Sequence, residues 1–339
     1  MKKLRNMEEF AALSGISRPT VSKYFNDPES VRASTRARIE KALTRYDYRP
    51  NIFAVNQNRK LTKNVGIVVP YLADPFFAEI ARNLEQRCIT AGFRPTLYSA
   101  HGQPDVEVEI LDDLRALKPA GVLLAPLGRA SNRAAIARFI DDVPTIFFDN
   151  VLEDLEATFV GSNNPNLALQ IVDYLCRSGE PPCFLEMATP ANPNARRRRQ
   201  AYIDAMAQVG ERAQVVQIAG EGWHFEEIGR RFGGEAVAAG KFATNTVLCS
   251  NDRLAIGLLA ACYEQGISVG LGADSAVRVA GQDDHPFSRY TCPALTTVAQ
   301  DYDAISGKSV ELLLNMIDGE NPPGPPTLFD GKLVMRRSA

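Results

Sequence analysis

The chain has 339 residues, with 38 Lys and Arg against 40 Asp and Glu and 45% hydrophobic residues, ordinary values for a soluble globular protein of two or three core-forming units. No run of about eighteen apolar residues is present, so no membrane span is expected. The six cysteines lie far apart without a Cys-x-x-Cys pair and no signal peptide is recognisable, which implies buried, reduced thiols in the cytoplasm.

The net charge of −2 hides an asymmetry. Residues 1–63 carry fourteen basic and six acidic side chains, a net +8, and the remainder carries 24 and 34, a net −10. A basic head on an acidic body suits a polyanion-binding module joined to something else.

Along the head, Met7, Phe10, Ala11 and Ser14 share one face of a helix over 7–14, with Leu13 beside it. Gly15 suits a left-handed helix end and Ser17 an N-cap, with Pro19 tolerated in the first turn that follows. The second helix runs from Arg18 to Phe25 and stops at Asn26-Asp27-Pro28. A third begins near Ser34 and turns Ile39, Ala42, Leu43 and Tyr46 inward. Two short helices across a glycine turn, followed by a third, predict a helix-turn-helix unit over 1–50. Arg18, Thr20, Ser22 and Lys23 give the second helix an exposed donor face suited to a DNA major groove.

From residue 64 the pattern changes. Short apolar runs at 65–69, 94–99, 121–125, 145–148, 183–186, 215–218, 246–249 and 277–280 read as strands. Helical stretches are expected at 75–91, 105–117, 132–141, 164–178, 196–209, 225–239 and 253–265. That alternation predicts α/β doubly wound parallel sheets forming two subdomains around a cleft, with ligand at the carboxyl ends of the strands. No GxGxxG or Walker loop signals a nucleotide cofactor. No Gly-x-Ser-x-Gly or His-Glu-x-x-His signals an enzyme, and no metal cluster is visible.

The head's Ser17-x-x-Thr20-Val21-Ser22-x-x-x-Asn26, then Ser34-Thr35-Arg36, then Tyr48-Arg49-Pro50-Asn51, resembles the lactose/galactose-repressor (LacI/GalR) family of bacterial transcriptional regulators. The resemblance continues in the body through Asn251-Asp252, Gly281-Gln-Asp-Asp284, Leu295-Thr-Thr-Val-x-Gln300-Asp301 and Leu333-Val-x-Arg336-x-Ser338. It covers essentially the whole chain and implies an effector domain similar to periplasmic sugar-binding proteins.

The resemblance implies that Arg18, Pro19 and Lys23 face bases while Thr20, Ser22 and Asn26 reach phosphates. Residues 51–63 become a hinge helix in the minor groove, with Asn51, Ala54 and Gln57 facing DNA. Gln57 stands where relatives place a wedging leucine, so a weaker or displaced kink is expected. The implied lobes are 64–160 with 302–328, and 161–301 with 329–339.

The effector contacts implied are Asp74, Phe76, Phe77, Arg198, Trp223, Asn251, Asp283 and Gln300. Flat aromatics cover a sugar face there, and planar polar groups bind hydroxyls or a carboxylate. Two departures, Gly128-Arg129 and the four arginines 196–199, favour an anionic effector, a sugar acid or sugar phosphate, although three of those four arginines must point away from any one site. The expected partners are double-stranded operator DNA, a small sugar-like effector and a second copy of the chain, with no cofactor. Without a heptad tail, a tetramer made by the tail is not expected. The alternatives are a transport-type sugar-binding protein and a sugar hydrolase using Asp283 and Asp284, a pair whose adjacent side chains would diverge.

Overall fold

The computed structural model describes residues 6–26, 28–48, 62–152, 155, 157–191, 193–272, 274–319 and 324–339. The chain divides into two compact units, Met1–Thr62 and Lys63–Ala339. The expectations for Asn51, Ala54 and Gln57 lie outside the described residues.

Among its described residues the first unit holds three α-helices, α1 (Met7–Ser14), α2 (Arg18–Asn26) and α3 (Ala33–Tyr46). Asn6 caps α1, its Oδ1 accepting the Glu9 N–H at 2.9 Å. Gly15 ends the helix at φ 64°, a conformation costly for any residue with a Cβ. Phe10, Ile16, Val21, Val31, Ile39 and Tyr48 fill the small core. Tyr48 stacks on Phe10 with ring centroids 4.7 Å apart and meets Phe25 edge-on, so a residue noticed only for its motif is also a packing anchor. The Tyr46 hydroxyl donates to the Leu13 carbonyl and ties α3 to α1.

The second unit has a six-stranded parallel sheet and a four-stranded parallel sheet. The first contains β1 (Asn64–Val69), β2 (Arg94–Ser99), β3 (Gly121–Leu124), β4 (Thr145–Phe148), β5 (Thr158–Ser162) and β11 (Thr327–Phe329), in the order β11-β5-β4-β3-β1-β2. Its helices are α4 (Pro75–Thr90), α5 (Pro104–Leu117), α6 (Arg133–Asp142) and α12 (Tyr302–Ile317). Successive residues point to opposite faces and both faces are covered. Ile67, Leu123 and Ile146 join one core cluster, and Val68, Val122, Leu124 and Phe147 the other.

The second sheet orders β6 (Cys183–Met187), β7 (Val215–Ile218), β8 (Thr246–Cys249) and β9 (Arg278–Ala280) as β7-β6-β8-β9. Its helices are α7 (Asn164–Ser178), α8 (Ala195–Gln208), α9 (Phe225–Ile228), α10 (Gly234–Ala238) and α11 (Asp252–Glu264). An antiparallel pair, β10 (Thr297–Ala299) with β12 (Lys332–Val334), finishes this lobe.

Three segments cross between the lobes, after β5, after β10 and after β11. They are tied to one another: Ser162 Oγ bonds Gln300 Oε1, and Asn163 Nδ2 donates to Asp330 at 2.8 Å.

Two sequence expectations need correction. The helix over 225–239 is interrupted by a π-helical turn at Gly229–Gly233. A Cβ on Gly229 would meet the Leu254 carbonyl oxygen at 2.2 Å, and one on Gly257 the Glu226 oxygen at 2.0 Å. The bulge therefore sits where two helix backbones touch. The buried-thiol reading holds for Cys88, Cys183, Cys249 and Cys262, whereas Cys176 is half-buried and Cys292 exposed. Four short strands (β5, β10, β11, β12) and α12 are additional to the expected elements. Among the described residues no helix is long and apolar enough to cross a membrane.

Candidate DNA-reading face and effector cleft

On α2, Val21 is buried and aims into the core, which turns the opposite face outward. Arg18, Pro19 and Lys23 are exposed, and Thr20 and Ser22 are half-buried beside them. Ser17 Oγ lies 2.7 Å from Thr20 Oγ1 and holds the first turn. Arg18 pairs with Glu8 at 3.3 Å with both side chains exposed, a contact worth about 0–1 kcal/mol and easily broken. Asn26 is the last residue of the helix.

In the body, the carboxyl ends of the parallel strands deliver polar residues to the space between the lobes. Asp74 caps α4 after β1, its Oδ1 accepting the Phe76 N–H at 2.9 Å. Asp149 follows β4 at φ 61°. Asn251 caps α11 after β8, accepting the Leu254 N–H at 2.8 Å, and it also lines the cavity. Asp283 follows β9, placed by its N–H on the Val298 carbonyl. Asp74, Phe76, Phe77, Arg198, Asn251 and Asp283 come together around one enclosed cavity of about 20 Å³, room for a water but not for a sugar ring.

Arg198 is 5% exposed and grips Asp283 with both Nη atoms, Nη1 also donating to the Ser250 carbonyl at 2.9 Å. Gln300 lies one layer behind the cavity, its Nε2 donating to Asp283 Oδ1 at 2.7 Å. Burial works to lower the Arg198 pKa, but Asp283 and Asp149 outweigh it and hold the guanidinium charged. Trp223 does not line this cavity. It stacks on Tyr71 at 5.1 Å, meets Phe77 edge-on, and borders an adjoining hollow of about 530 Å³.

Four cavity residues were absent from the sequence-based set: Asp149, Arg253, His285 and Tyr302. Arg253 donates to Asp74 at 2.9 Å and, bidentately, to Glu226 at 2.6 and 2.7 Å. Because Asp74 belongs to one lobe and Arg253 to the other, the pair is a latch. Asn194 forms a second latch, donating to Asp149 Oδ1 at 2.8 Å. Burial pushes the Asp149 carboxyl up to about 7, against the pull of Arg198. Burial likewise raises the Asp74 carboxyl, with Arg253 opposing. His285 Nε2 is buried with no hydrogen-bond partner, and burial lowers the pKa of its ring. His224, next to Trp223 in the sequence, is exposed and lines neither space.

Asp283 and Asp284 diverge, Asp283 to Arg198 and Asp284 to Arg336. They flank no common point, as a hydrolytic pair must. Among the described residues no cluster of His, Cys, Asp and Glu suits a metal ion.

A helix-turn-helix head joined to a two-lobed body with a buried polar cleft defines a ligand-responsive DNA-binding regulator. Residues 6–51 match the lacI family of bacterial regulatory proteins, and residues 182–339 match the periplasmic binding protein-like domain. The HTH-type transcriptional repressor CytR of Escherichia coli (strain K12) is 27% identical over 333 residues, 98% of this chain and 95% of that one. The HTH-type transcriptional regulator KdgR of Bacillus subtilis (strain 168) is 26% identical, covering 98% and 97%. A crystal structure of the lac repressor dimer bound to operator and the anti-inducer ONPF superposes with a TM-score of 0.85 at 24% identity, over 99% of each chain. The chain carries a lacI-family helix-turn-helix domain and a periplasmic binding protein-like domain, and it is a transcriptional regulator, not an enzyme.

Proposed function

We propose that this protein is a cytoplasmic repressor that binds a palindromic operator as a homodimer and responds to a neutral, polyhydroxylated, sugar-like effector held between its lobes. The supporting observation is the cavity at the strand ends, where the Arg253–Asp74 latch joins the lobes around buried hydrogen-bonding groups. Charge matching favours a neutral effector. Arg198 is already neutralised by Asp283, and Arg253 by Asp74 and Glu226, so an added anion would sit among carboxylates without a free cation. His285 Nε2 offers an open hydrogen-bonding position to a ligand hydroxyl. Asp74, Phe76, Phe77, Arg198, Asn251 and Asp283 serve as contacts, Gln300 supports Asp283, and Trp223 covers a larger ligand from the adjoining hollow.

In this reading the lobes, 64–160 with 302–328 and 161–301 with 329–339, part to admit the effector and close on it. Residues 51–63, with Asn51, Ala54 and Gln57, pass the change to a head that reads bases with Arg18, Pro19 and Lys23 and phosphates with Thr20, Ser22 and Asn26. A ligand moves such an equilibrium only by its difference in affinity for the two states. The test measures affinity of the full chain for its own promoter fragment while neutral sugars, nucleosides and sugar acids are screened by thermal shift. A neutral compound that raises the melting temperature and changes operator affinity is the expected result. Stabilisation by sugar acids alone would overturn the neutral-effector reading, and equal affinity for promoter and random DNA would overturn the regulator reading.

A further inference from the structure

The sequence places four consecutive arginines at 196–199, but the structure sends only Arg198 into the effector cavity. The other three open on a neighbouring groove of about 610 Å³ between the lobes, which Arg129 and Arg133 line from the opposite side; Arg129 and Arg196 stand on the border it shares with the hollow beside Trp223. Five guanidiniums thus face one space, and no carboxylate is among the described residues lining it. Arg129 and Arg196 reach no carboxylate among the described residues, Arg199 leans on Glu186 at 3.0 Å, and Arg197 lies over the Phe159 ring.

Helix geometry adds to the positive field. The first turn of α8 carries these arginines and no acid, at the end where the backbone N–H groups already concentrate positive charge. Arg133 likewise opens α6. Cations at a helix start are unfavourable by themselves, and crowding Arg196 and Arg197 there beside Arg129 raises that cost unless a counter-charge is bound. An independent observation comes from Asn150. It is 3% exposed, its side chain makes no hydrogen bond to any described residue, and it lines the same groove. Its amide atoms reach the solvent of the groove rather than being sealed off, and so are open to a ligand.

We infer that this groove is a second small-molecule site, distinct from the Arg198 cavity, and that it takes a compact metabolite carrying a diphosphate or two phosphate groups. Guanidinium forks match phosphate oxygens in pairs, and the Asn150 amide supplies a neutral donor between them. The volume suits a ligand of nucleoside-diphosphate size rather than a single ion. The Gly128-Arg129 departure and the arginine run, which from sequence favour an anionic effector, both face this groove. Anion recognition thereby falls outside the Arg198 cavity. A ligand here touches Arg129 of one lobe and Arg196 of the other, so it also draws the lobes together.

The test is calorimetric titration of the full chain with inorganic pyrophosphate and with a nucleoside diphosphate, at fixed ionic strength. Saturable binding of one ligand per chain is expected, weakened at least tenfold in the double variant Arg129→Ala/Arg196→Ala, whose fold is checked by an unchanged far-ultraviolet circular dichroism spectrum and a melting temperature no lower than the parent's without ligand. Tighter binding of the nucleoside diphosphate than of pyrophosphate assigns the metabolite as the ligand, and equal binding assigns the diphosphate group alone; both support the site. Glu153, Asp154 and Glu156 lie nearby in sequence, outside the described residues. Binding seen only in the E153Q/D154N/E156Q variant would overturn the inference, because the chain would then supply its own counter-charge. So would heats no larger than those of chloride, or unchanged affinity in the double arginine variant.

Discussion

Substituting Asp149 by Asn removes one buried charge and leaves an acceptor for Asn194, which makes the consequence calculable. The carboxyl lies fully inside the body, and burial lifts it to about 7, roughly three units above an unfolded aspartate. Between about pH 4 and pH 7 the native chain therefore holds a proton that the unfolded chain has released. By linkage the stability contributed at this site falls as pH rises through that window, by up to about 1.4 kcal/mol per unit. At pH 8 the full cost is expressed, about 4 kcal/mol, with the attraction of Arg198 for the charged form already contained in that raised pKa. Asp149→Asn should thus match the parent at pH 4 and exceed it at pH 8. Urea unfolding followed by Trp223, the single tryptophan, reports on the body because that ring is packed between Tyr71 and Phe225. Burial pushes Asp252 up to about 7 as well, but this contribution is common to both proteins and drops out of the difference. Parallel stability curves from pH 5 to pH 8, or a variant weaker at pH 8, would refute the reasoning.

Arg198→Ala leaves Asp283 buried without its cation and should cost about 3–5 kcal/mol in urea unfolding, while operator affinity measured without effector stays unchanged. Asp74→Asn weakens the latch to Arg253 and should raise protease sensitivity at the lobe crossings near Asn163 and Asp330; an unchanged cleavage rate would show that the latch does not hold the lobes. Arg18→Ala and Lys23→Ala should each weaken specific operator binding by about 1–3 kcal/mol in anisotropy titrations, with smaller losses on random DNA. Tyr48→Ala removes the ring stacked on Phe10 and should cost the head about 3–5 kcal/mol, lowering a head transition in calorimetry and leaving the body transition in place.

The long, strongly patterned elements were readable because burial and periodicity coincide in them. Arg94–Ser99, Thr145–Phe148, Val215–Ile218, Thr246–Cys249 and Asn164–Ser178 stand at the expected bounds. Strands β10, β11 and β12 have three residues each, too few for alternation to show. Helix α12 hides its apolar stripe behind buried Ser306 and Ser309, whose hydroxyls bond carbonyls four residues back. In the cleft, Asp149 could have been found by the reasoning that singles out Asn251, as a polar residue directly after a strand. Arg253 could not, because its partners Asp74 and Glu226 are 179 and 27 residues away and only the tertiary fold joins them. The arginine run illustrates the same limit. Its composition signals an anion, while the direction of each side chain depends on where α8 lies against both lobes.

The contacts between the lobes fall into two kinds, and the difference bears on how a small ligand can shift so large a body. The crossing segments are joined by short-range bonds, Ser162 to Gln300 and Asn163 to Asp330, which lie at the pivot and can persist whether the lobes are parted or closed. The latches Arg253–Asp74 and Asn194–Asp149 and the Trp223–Tyr71 stack instead lie away from the pivot and exist only when the lobes meet. Each latch contains a carboxylate whose pKa burial raises, so closure without a ligand carries a desolvation cost that offsets much of its Coulombic gain. Such an equilibrium is finely balanced. A neutral ligand that supplies hydroxyls to Asp149 and His285 adds hydrogen bonds to the closed state alone, and a few of them, worth about 0.5–1.5 kcal/mol each and more where a charged group takes part, are enough to reverse a difference of that size. The same balance explains why an anion bridging Arg129 and Arg196 would act in concert with the cleft: it relieves repulsion only where the two lobes approach, and so favours the arrangement that the neutral ligand favours.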